Sequence, residues 1–297
     1  MKSKLIVILG PTTTGKSTLA VRLAKKFNGE IISADSRQVY TGLNIGTGKI
    51  TKKEMRGVPH HLLDVASPKS RFSVMKFQEL AREKIAEIFS REHLPILCGG
   101  TGFYIEAVTN NVILPDVPQN ERLRARLRRK TAETLLRMLM KLDPVRAKTV
   151  DQKNPRRIIR AIEIATAIGT VPPIQKTDSP YDILQIGLKL SPEALKKKIA
   201  ARLSARLRLG MMAEAKRLHR KGLSWKRMGE LGLEYRYLAL YLQNKISKSE
   251  MIAKLQTEIW RYAKRQMTWF RHDGRIVWFS PVDQVKIKKE IAEFLRK

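Results

Sequence analysis

The 297-residue sequence contains a single cysteine, Cys98, so no disulfide bond can form within the chain. Cys98 closes a short apolar run, and we interpret it as a buried structural thiol rather than a reactive one. No stretch approaches the roughly 18 consecutive apolar residues of a membrane-spanning helix, and the N-terminus enters a strand-like run rather than a signal peptide. We therefore expect a globular protein of the cytoplasm or a similar soluble compartment, with no membrane among its partners.

Acidic side chains are also scarce. The sequence has 27 Asp and Glu against 59 Lys and Arg, which gives a formal net charge of +32. An excess of this size goes far beyond what solubility requires, and it indicates a polyanionic partner. Nucleic acid is the first candidate. An anionic membrane surface is the second, and it is weakened because the sequence has neither a membrane-spanning stretch nor a signal peptide.

The adjacent histidines His60 and His61 are a pair that could suggest a metal site. Neighbouring residues of an extended segment point to opposite faces, so these two side chains are poorly arranged to share one ion. We do not interpret the pair as a metal site.

The stretch GPTTTGKS follows the apolar run LIVIL and matches the pattern G-x-x-x-x-G-K-[ST] at every fixed position. In such a loop, backbone N–H groups surround phosphate oxygens at the positive end of a helix, Lys16 neutralises charge, and Ser17 can ligate Mg²⁺. The predicted phosphate-binding residues are Gly10, Pro11, Thr12, Thr13, Thr14, Gly15, Lys16 and Ser17. The loop itself does not determine which phosphate compound is bound.

The surrounding pattern predicts an α/β fold, a P-loop core with a parallel sheet flanked by helices. Strands are expected over residues 4–9, 30–34, 95–98 and 183–190, with a helix over 17–27. In a parallel sheet, ligands collect at the carboxyl ends of the strands. We therefore expect Gly10, Asp35 and Thr101 to line one rim.

Prolines and basic helical stretches mark a change of character after Leu114. We interpret residues 114–181 as a helical insertion domain. Residues 1–113 and 182–297 then form the catalytic core with its C-terminal helices.

Two long helices are predicted near the C-terminus. The first begins with Ser191 as its N-cap and runs to about Lys221, where Gly222 would end it. The second covers about 248–270 and contains Trp260 and Trp269, which we expect to pack in the core rather than to stack on bases.

Six stretches occur in an order that is specific to one enzyme family. They are GPTTTGKS (10–17), DSRQVYTGLNIGTGK (35–49), PHHLLD (59–64), GGTGFY (99–104), NPRRIIRAIE (154–163) and AKRQMTWFR (263–271). Through them the sequence resembles the tRNA dimethylallyltransferases over nearly its whole length. The segment 228–236 departs from the pattern of many bacterial members. The zinc finger of eukaryotic members is absent, so we expect no zinc.

The resemblance implies a prenyl transfer from dimethylallyl diphosphate to N6 of an adenosine in tRNA. The acceptor is the adenosine just 3′ of the anticodon, in tRNAs that read codons beginning with U, and pyrophosphate is released. The implied partners are dimethylallyl diphosphate and the tRNA anticodon stem-loop, and the implied cofactor is Mg²⁺ on Ser17. We expect the protein to act as a monomer.

The resemblance also implies roles for individual residues. Asp35 would accept the amine proton, Thr13 would donate to the departing oxygen, and Arg202 would clamp the diphosphate. From spacing alone, Arg202 could instead lie on a solvated helix face with Lys198 and Arg206. The implied tRNA contacts are Asp35, Ser36, Arg37, Gln38, Thr101, Arg124, Arg156, Arg157, Ile158, Ile159 and Arg160, although Thr101 could merely cap a helix.

Two rival functions stay open on the residues alone. A small-molecule or nucleoside kinase would share the phosphate loop, but the extreme charge and the missing acidic residue after strand 95–98 speak against it. A non-catalytic RNA-binding module would have no reason to retain Lys16, Ser17 and Asp35 together.

Overall fold

The computed structural model describes residues 2–297, which form two compact units. The core unit consists of Met1–Asn111 and Asp178–Lys297, and the helical unit consists of Val112–Thr177. The strands are β1 (Ser3–Leu9), β2 (Gly29–Ala34), β3 (His60–His61), β4 (Leu94–Gly99), β5 (Val112–Ile113), β6 (Gln175–Lys176), β7 (Tyr181–Leu188) and β8 (Ile276–Phe279).

The helices are named in the same way, in chain order. They are α1 (Lys16–Lys26), α2 (Lys52–Met55), α3 (Val74–Ser90), α4 (Gly102–Thr109), α5 (Glu121–Leu127), α6 (Ala132–Leu142), α7 (Pro144–Thr149), α8 (Pro155–Ile168), α9 (Pro192–Arg208), α10 (Met211–Arg220), α11 (Trp225–Glu230), α12 (Leu233–Leu242), α13 (Lys248–Phe270) and α14 (Gln284–Arg296). None of those within residues 2–297 is long and apolar enough to cross a membrane.

A parallel sheet organises the core unit. Within the described residues it has six strands in the order β3-β2-β4-β1-β7-β8. Side chains of β1 alternate between two apolar layers: Leu5 and Val7 pack with α3 and α4, whereas Ile6 and Ile8 pack with α1 and α14. The strands are therefore apolar on both faces, as buried parallel strands are. The predicted α/β fold with helices on both sides is confirmed.

A third apolar cluster joins α9–α13 to the segment that follows β2. Ser191 caps α9 through the N–H of Ala194, as predicted. The prediction of one helix to Lys221 is wrong, because α9 ends at Arg208 and α10 begins after Gly210. Gly210 has a φ of 95°, a left-handed conformation that breaks the helix and that glycine adopts without a steric penalty.

The helical unit has its own apolar core. Leu127, Leu135, Leu139, Ile158 and Ile162 form it with little or no exposure to solvent. Each of its helices begins with a capping side chain that accepts a backbone N–H; the caps are Asn120, Thr131, Asp143 and Asn154. Local capping and one shared core thus define the unit.

Candidate active site at the carboxyl edge of the sheet

Three neighbouring strands end in register at one edge of the sheet. Gly99 of β4 pairs with Leu9 of β1 on one side and with Ala34 of β2 on the other. The residues that follow these strand ends include Gly10, Asp35 and, after Gly100, Thr101. The predicted rim is therefore confirmed, and segments far apart in sequence meet there.

The phosphate loop connects β1 to α1. The carbonyl of Pro11 accepts hydrogen bonds from the Thr14 hydroxyl at 2.9 Å and from the Lys16 ammonium at 2.6 Å. Thr13 has a φ of 67°, a strained conformation for a β-branched residue. Its Oγ1 is buried and has no partner among residues 2–297. Strain and an unpaired buried hydroxyl at one residue are typical of a ligand-binding position.

Lys16 is partly buried at the start of α1. Its pKa is lowered to about 8, mainly by burial; the charge of Arg202 also lowers it, whereas Cys98 and Asp35 act in the opposite direction. These four groups therefore lie within electrostatic reach of one another. Burial raises the pKa of the Cys98 thiol to about 12, which agrees with the interpretation of a structural rather than a reactive cysteine.

Asp35 follows β2, and its two carboxylate oxygens differ. Oδ1 accepts the backbone N–H groups of Arg37 at 2.8 Å and Gln38 at 3.3 Å. Oδ2 accepts no hydrogen bond from the described residues. The turn therefore fixes the carboxylate and leaves one oxygen available to a ligand.

Thr101 lies at the N-terminus of α4 but does not cap it with its side chain. Instead, its Oγ1 accepts the N–H of Ser36 at 3.0 Å. The alternative that Thr101 only caps the helix is wrong. Its hydroxyl orients the segment that carries Asp35.

Arg202 extends from α9 toward the segment 41–49. Its Nη2 donates to the carbonyl of Gly48 at 3.0 Å. Burial lowers the pKa of Arg202, and the neighbouring Arg206 lowers it further. Arg206 is itself buried and pairs with Glu234 at 2.8 Å, whereas Lys198 is exposed. The alternative of one solvated helix face is therefore wrong for both arginines.

The sequence was compared with family models and with known proteins. A family model described as IPP transferase matches residues 38–273. The tRNA dimethylallyltransferase 1 of Syntrophus aciditrophicus (strain SB) is 42% identical over 304 residues, covering all of both chains. The tRNA dimethylallyltransferase of Anoxybacillus flavithermus is 39% identical, covering 99% of this chain and 96% of its own. The chain belongs to the IPP transferase family.

Solved structures agree with this membership. The full-length tRNA isopentenylpyrophosphate transferase of Bacillus halodurans superposes with a TM-score of 0.76 at 38% identity, covering 99% of this chain and 97% of that one. A eukaryotic dimethylallyltransferase acting on tRNA superposes with a TM-score of 0.79 at 26% identity, covering 95% and 74%. The resemblance inferred from the six motifs is confirmed.

Within this IPP transferase, the residues implied as RNA contacts in the helical unit fall into two groups. Ile158 and Ile159 lie in the apolar core, so their side chains are not available at the surface, and the implied contact is wrong for these side chains. Arg124 is also mostly buried, and it forms a salt bridge with Glu163 at 2.6 Å. Arg156 and Arg157 are exposed.

Glu163 explains why Arg124 is not free. It is buried and accepts hydrogen bonds from the Nε and Nη2 of Arg124, from Arg160, and from the backbone N–H of Asn120. Burial by itself would raise the pKa of Glu163, but these bonds outweigh it, and the pKa is lowered. Arg160 also donates to the carbonyl of Val117 at 2.9 Å, so both arginines stabilise the unit from inside.

Two site residues were not predicted from the sequence. Glu214 is buried and accepts three backbone N–H groups of the segment 44–46 together with the Tyr235 hydroxyl, at 2.6–3.1 Å. Gln266 bonds both the phosphate loop and the segment after β4. Glu214 has no local signal, whereas Gln266 lies inside the AKRQMTWFR motif.

The two tryptophans of α13 differ in burial. Trp260 is partly buried against the cluster of α9–α13. Trp269 is 40% exposed and packs beside Gly102 and edge-on to Phe103, with ring centroids 6.2 Å apart. The prediction of core packing is therefore wrong for Trp269.

Among the residues that the structure describes, no group of three or more His, Cys, Asp or Glu could hold a metal ion. His60 bonds the carbonyl of Val58, and His61 bonds the carboxylate of Glu30. The hydroxyl of Ser17 is exposed in the first turn of α1, next to the phosphate loop.

Proposed function

We propose that this protein transfers the dimethylallyl group from dimethylallyl diphosphate to N6 of the adenosine 3′-adjacent to the anticodon, in tRNAs that read codons beginning with U. The observation that carries the proposal is the rim itself. A carboxylate with a free oxygen lies there within electrostatic reach of Lys16 and Arg202, beside a strained phosphate loop. The carboxylate of Asp35 is suited to removing a proton. Lys16, Arg202 and the phosphate loop are suited to binding a diphosphate leaving group.

The leaving-group half consists of the phosphate loop and two cations. Pyrophosphate gains negative charge as the bond from the allylic carbon to oxygen breaks, so donors aimed at that oxygen lower the barrier. The unpaired hydroxyl of Thr13 supplies a donor. Backbone N–H groups of the loop supply others, from Gly10, Thr13, Thr14, Gly15, Lys16 and Ser17; the N–H of Thr12 is bonded to Gln266, and Pro11 has none. Arg202 adds a guanidinium that can hold phosphate oxygens in a bidentate manner.

The acceptor half depends on Asp35. The lone pair of an adenine amine is delocalised into the ring, so N6 is a poor nucleophile unless its proton is removed as it attacks. N6 forms a bond to the allylic carbon, the carbon–oxygen bond breaks, and the amine proton passes to the free Oδ2 of Asp35. Ser36, Arg37 and Gln38 continue the same turn and are proposed to contact the nucleotide, as is Thr101 through Ser36.

Magnesium belongs to this proposal as the ion that accompanies the diphosphate. Mg²⁺ prefers oxygen ligands and is commonly held by few protein groups together with substrate phosphates, which fits the Ser17 hydroxyl and the absence of a carboxylate cage among the described residues. When bound, it would neutralise charge on the departing pyrophosphate.

The proposed binding of RNA is supported by the positive charge of the protein. A net charge of +32 favours binding of the anticodon stem-loop through its phosphates, and Arg156 and Arg157 are the exposed arginines of the helical unit proposed to contribute. The target base is stacked in the loop, so the enzyme must flip it out to reach N6, which costs a few kcal/mol. We propose that a monomer acts on tRNA in the cytoplasm.

The test is to incubate the protein with Mg²⁺, unmodified tRNA and either dimethylallyl diphosphate or ATP. The tRNA is then digested and analysed for prenylated adenosine by mass spectrometry. Prenyl-adenosine is expected only with the diphosphate. Consumption of ATP without prenylated product would overturn the proposal in favour of a kinase, and tRNA binding without any turnover would favour a binding module.

A further inference from the structure

Gln266 uses both ends of its side-chain amide to bridge two segments of the rim. Its Oε1 accepts the backbone N–H of Thr12 at 2.9 Å, and its Nε2 donates to the carbonyl of Gly100 at 2.8 Å. The side chain is only 6% exposed, so water does not readily replace either bond. Unpaired buried backbone groups are costly, so both segments are held where the amide places them.

The fit between Gln266 and Gly100 is close. A Cβ atom at Gly100 would lie 2.4 Å from the Nε2 of Gln266, so only glycine lets the amide approach the backbone here. The orientation of the amide is also determined, since the N–H of Thr12 requires an acceptor and the carbonyl of Gly100 requires a donor. Glutamine can satisfy both requirements, whereas glutamate, methionine and leucine cannot.

The two segments lead to the two halves of the proposed reaction centre. On one side, Thr12 directly precedes Thr13, the donor proposed for the leaving oxygen. On the other side, Gly100 directly precedes Thr101, whose hydroxyl accepts the N–H of Ser36 beside Asp35. One side-chain amide therefore connects the diphosphate site to the acceptor-base site.

We infer that Gln266 is a positioning residue that sets the separation between the bound diphosphate and Asp35. This inference rests on the proposed function and deepens it. The two reactants bind to different segments, so each can bind normally when the bridge is lost. The transfer step is different, because attack requires the two reacting atoms to be within about 3–3.5 Å and aligned.

The experiment compares two variants with matched controls on the same helix. Gln266→Met removes both hydrogen bonds at similar side-chain length, and Gln266→Glu keeps the acceptor for Thr12 but turns an oxygen toward the Gly100 carbonyl. Gln256 is exposed on α13, so Gln256→Met and Gln256→Glu control for composition and charge. Measured quantities are kcat, KM for both substrates, pyrophosphate affinity by calorimetry, and Tm.

A positioning role predicts that kcat falls by about 10- to 100-fold in both Gln266 variants. Pyrophosphate affinity and KM for tRNA should stay within roughly threefold of the unaltered protein, and the controls should match it. Loss of pyrophosphate affinity with an unchanged kcat would overturn the inference, as would an unchanged kcat altogether. Failure of both variants to fold would also overturn it, because the bridge would then be structural only.

A double variant sharpens the test. Thr101→Val removes the next link of the same chain of contacts. Two residues that act through one arrangement lose less together than the product of their separate losses, so Gln266→Met with Thr101→Val should be markedly non-additive. Simple multiplication of the two losses in kcat would contradict the inference. A wild-type protein that forms no prenyl-adenosine would instead overturn the proposed function.

Discussion

Two carboxylates, Asp35 in the core unit and Glu163 in the helical unit, are held in opposite ways. Asp35 accepts two backbone N–H groups on Oδ1 and keeps Oδ2 free. Glu163 is buried, and arginines and a backbone N–H occupy both of its oxygens. A fully satisfied buried carboxylate stabilises a fold, whereas a fixed carboxylate with one free oxygen can accept a proton. Within one chain, the two carboxylates therefore differ in role: Asp35 is suited to proton transfer, and Glu163 is suited to stabilising the helical unit.

The largest expected effect tests the free oxygen. Asp35→Asn keeps the side-chain oxygen that accepts the N–H groups of Arg37 and Gln38, so folding should be preserved. Without a proton acceptor, kcat should fall by about 10²- to 10⁴-fold. Single-turnover formation of prenyl-adenosine measures this, with Tm as the control for folding. An active Asp35→Asn protein would remove Asp35 from the role of base.

Glu163→Gln tests the satisfied carboxylate. The change leaves two arginines around a neutral buried amide, and breaking a buried ion pair in this way costs about 3–5 kcal/mol in the free energy of unfolding. Hydrogen exchange should then increase across α5–α8. Glu133 is exposed in the same unit, and Glu133→Gln should change stability by less than about 0.5 kcal/mol. Equal stabilities of the two variants would show that the buried network contributes little.

A third test uses pH, because Lys16 changes charge in an accessible range. Burial and Arg202 lower its pKa to about 8 in the free protein. The ammonium form binds the diphosphate, so kcat/KM for dimethylallyl diphosphate should be constant below pH 8. Above it, the value should fall by up to about tenfold per pH unit.

The control for this pH dependence is Lys16→Arg. Arginine keeps its charge throughout this range, so the variant should bind the diphosphate without the fall above pH 8, whatever its absolute affinity. Calorimetry of pyrophosphate binding in two buffers of different ionisation enthalpy should show proton uptake at pH 8.5 in the unaltered protein. Binding without proton uptake would contradict the assignment to Lys16.

The smallest effect concerns the exposed arginines of the helical unit. Arg156→Ala should weaken tRNA binding by a few-fold and reduce the salt-dependence slope by about 1, without changing Tm or single-turnover rate. Arg124→Ala should instead lower Tm and leave the salt dependence of tRNA binding unchanged, because Arg124 pairs with the buried Glu163. A salt slope that is unchanged in Arg156→Ala would remove that residue from the RNA interface.

Much of the site could be predicted because its signals are local. The glycine and lysine spacing of the phosphate loop depends on backbone conformation, and alternating apolar residues predict buried strands that deliver Gly10, Asp35 and Thr101 to one edge. The ends of helices were harder to predict from the sequence, because the break at Gly210 lies within a continuous helical pattern. Residues that act through long-range pairing, such as Glu214 with the segment 44–46, leave no local pattern.

By itself, the sequence determined the α/β core, the phosphate loop and the family, because each depends on residue types at short and regular spacing. Only the tertiary structure decided which basic side chains are exposed to solvent and which are paired inside the fold. Arg124 and Arg156 look alike in a basic stretch, yet one neutralises a buried carboxylate and the other faces solvent. That difference arises from packing between helices, since the cost of burying an unpaired charge selects a partner distant in sequence.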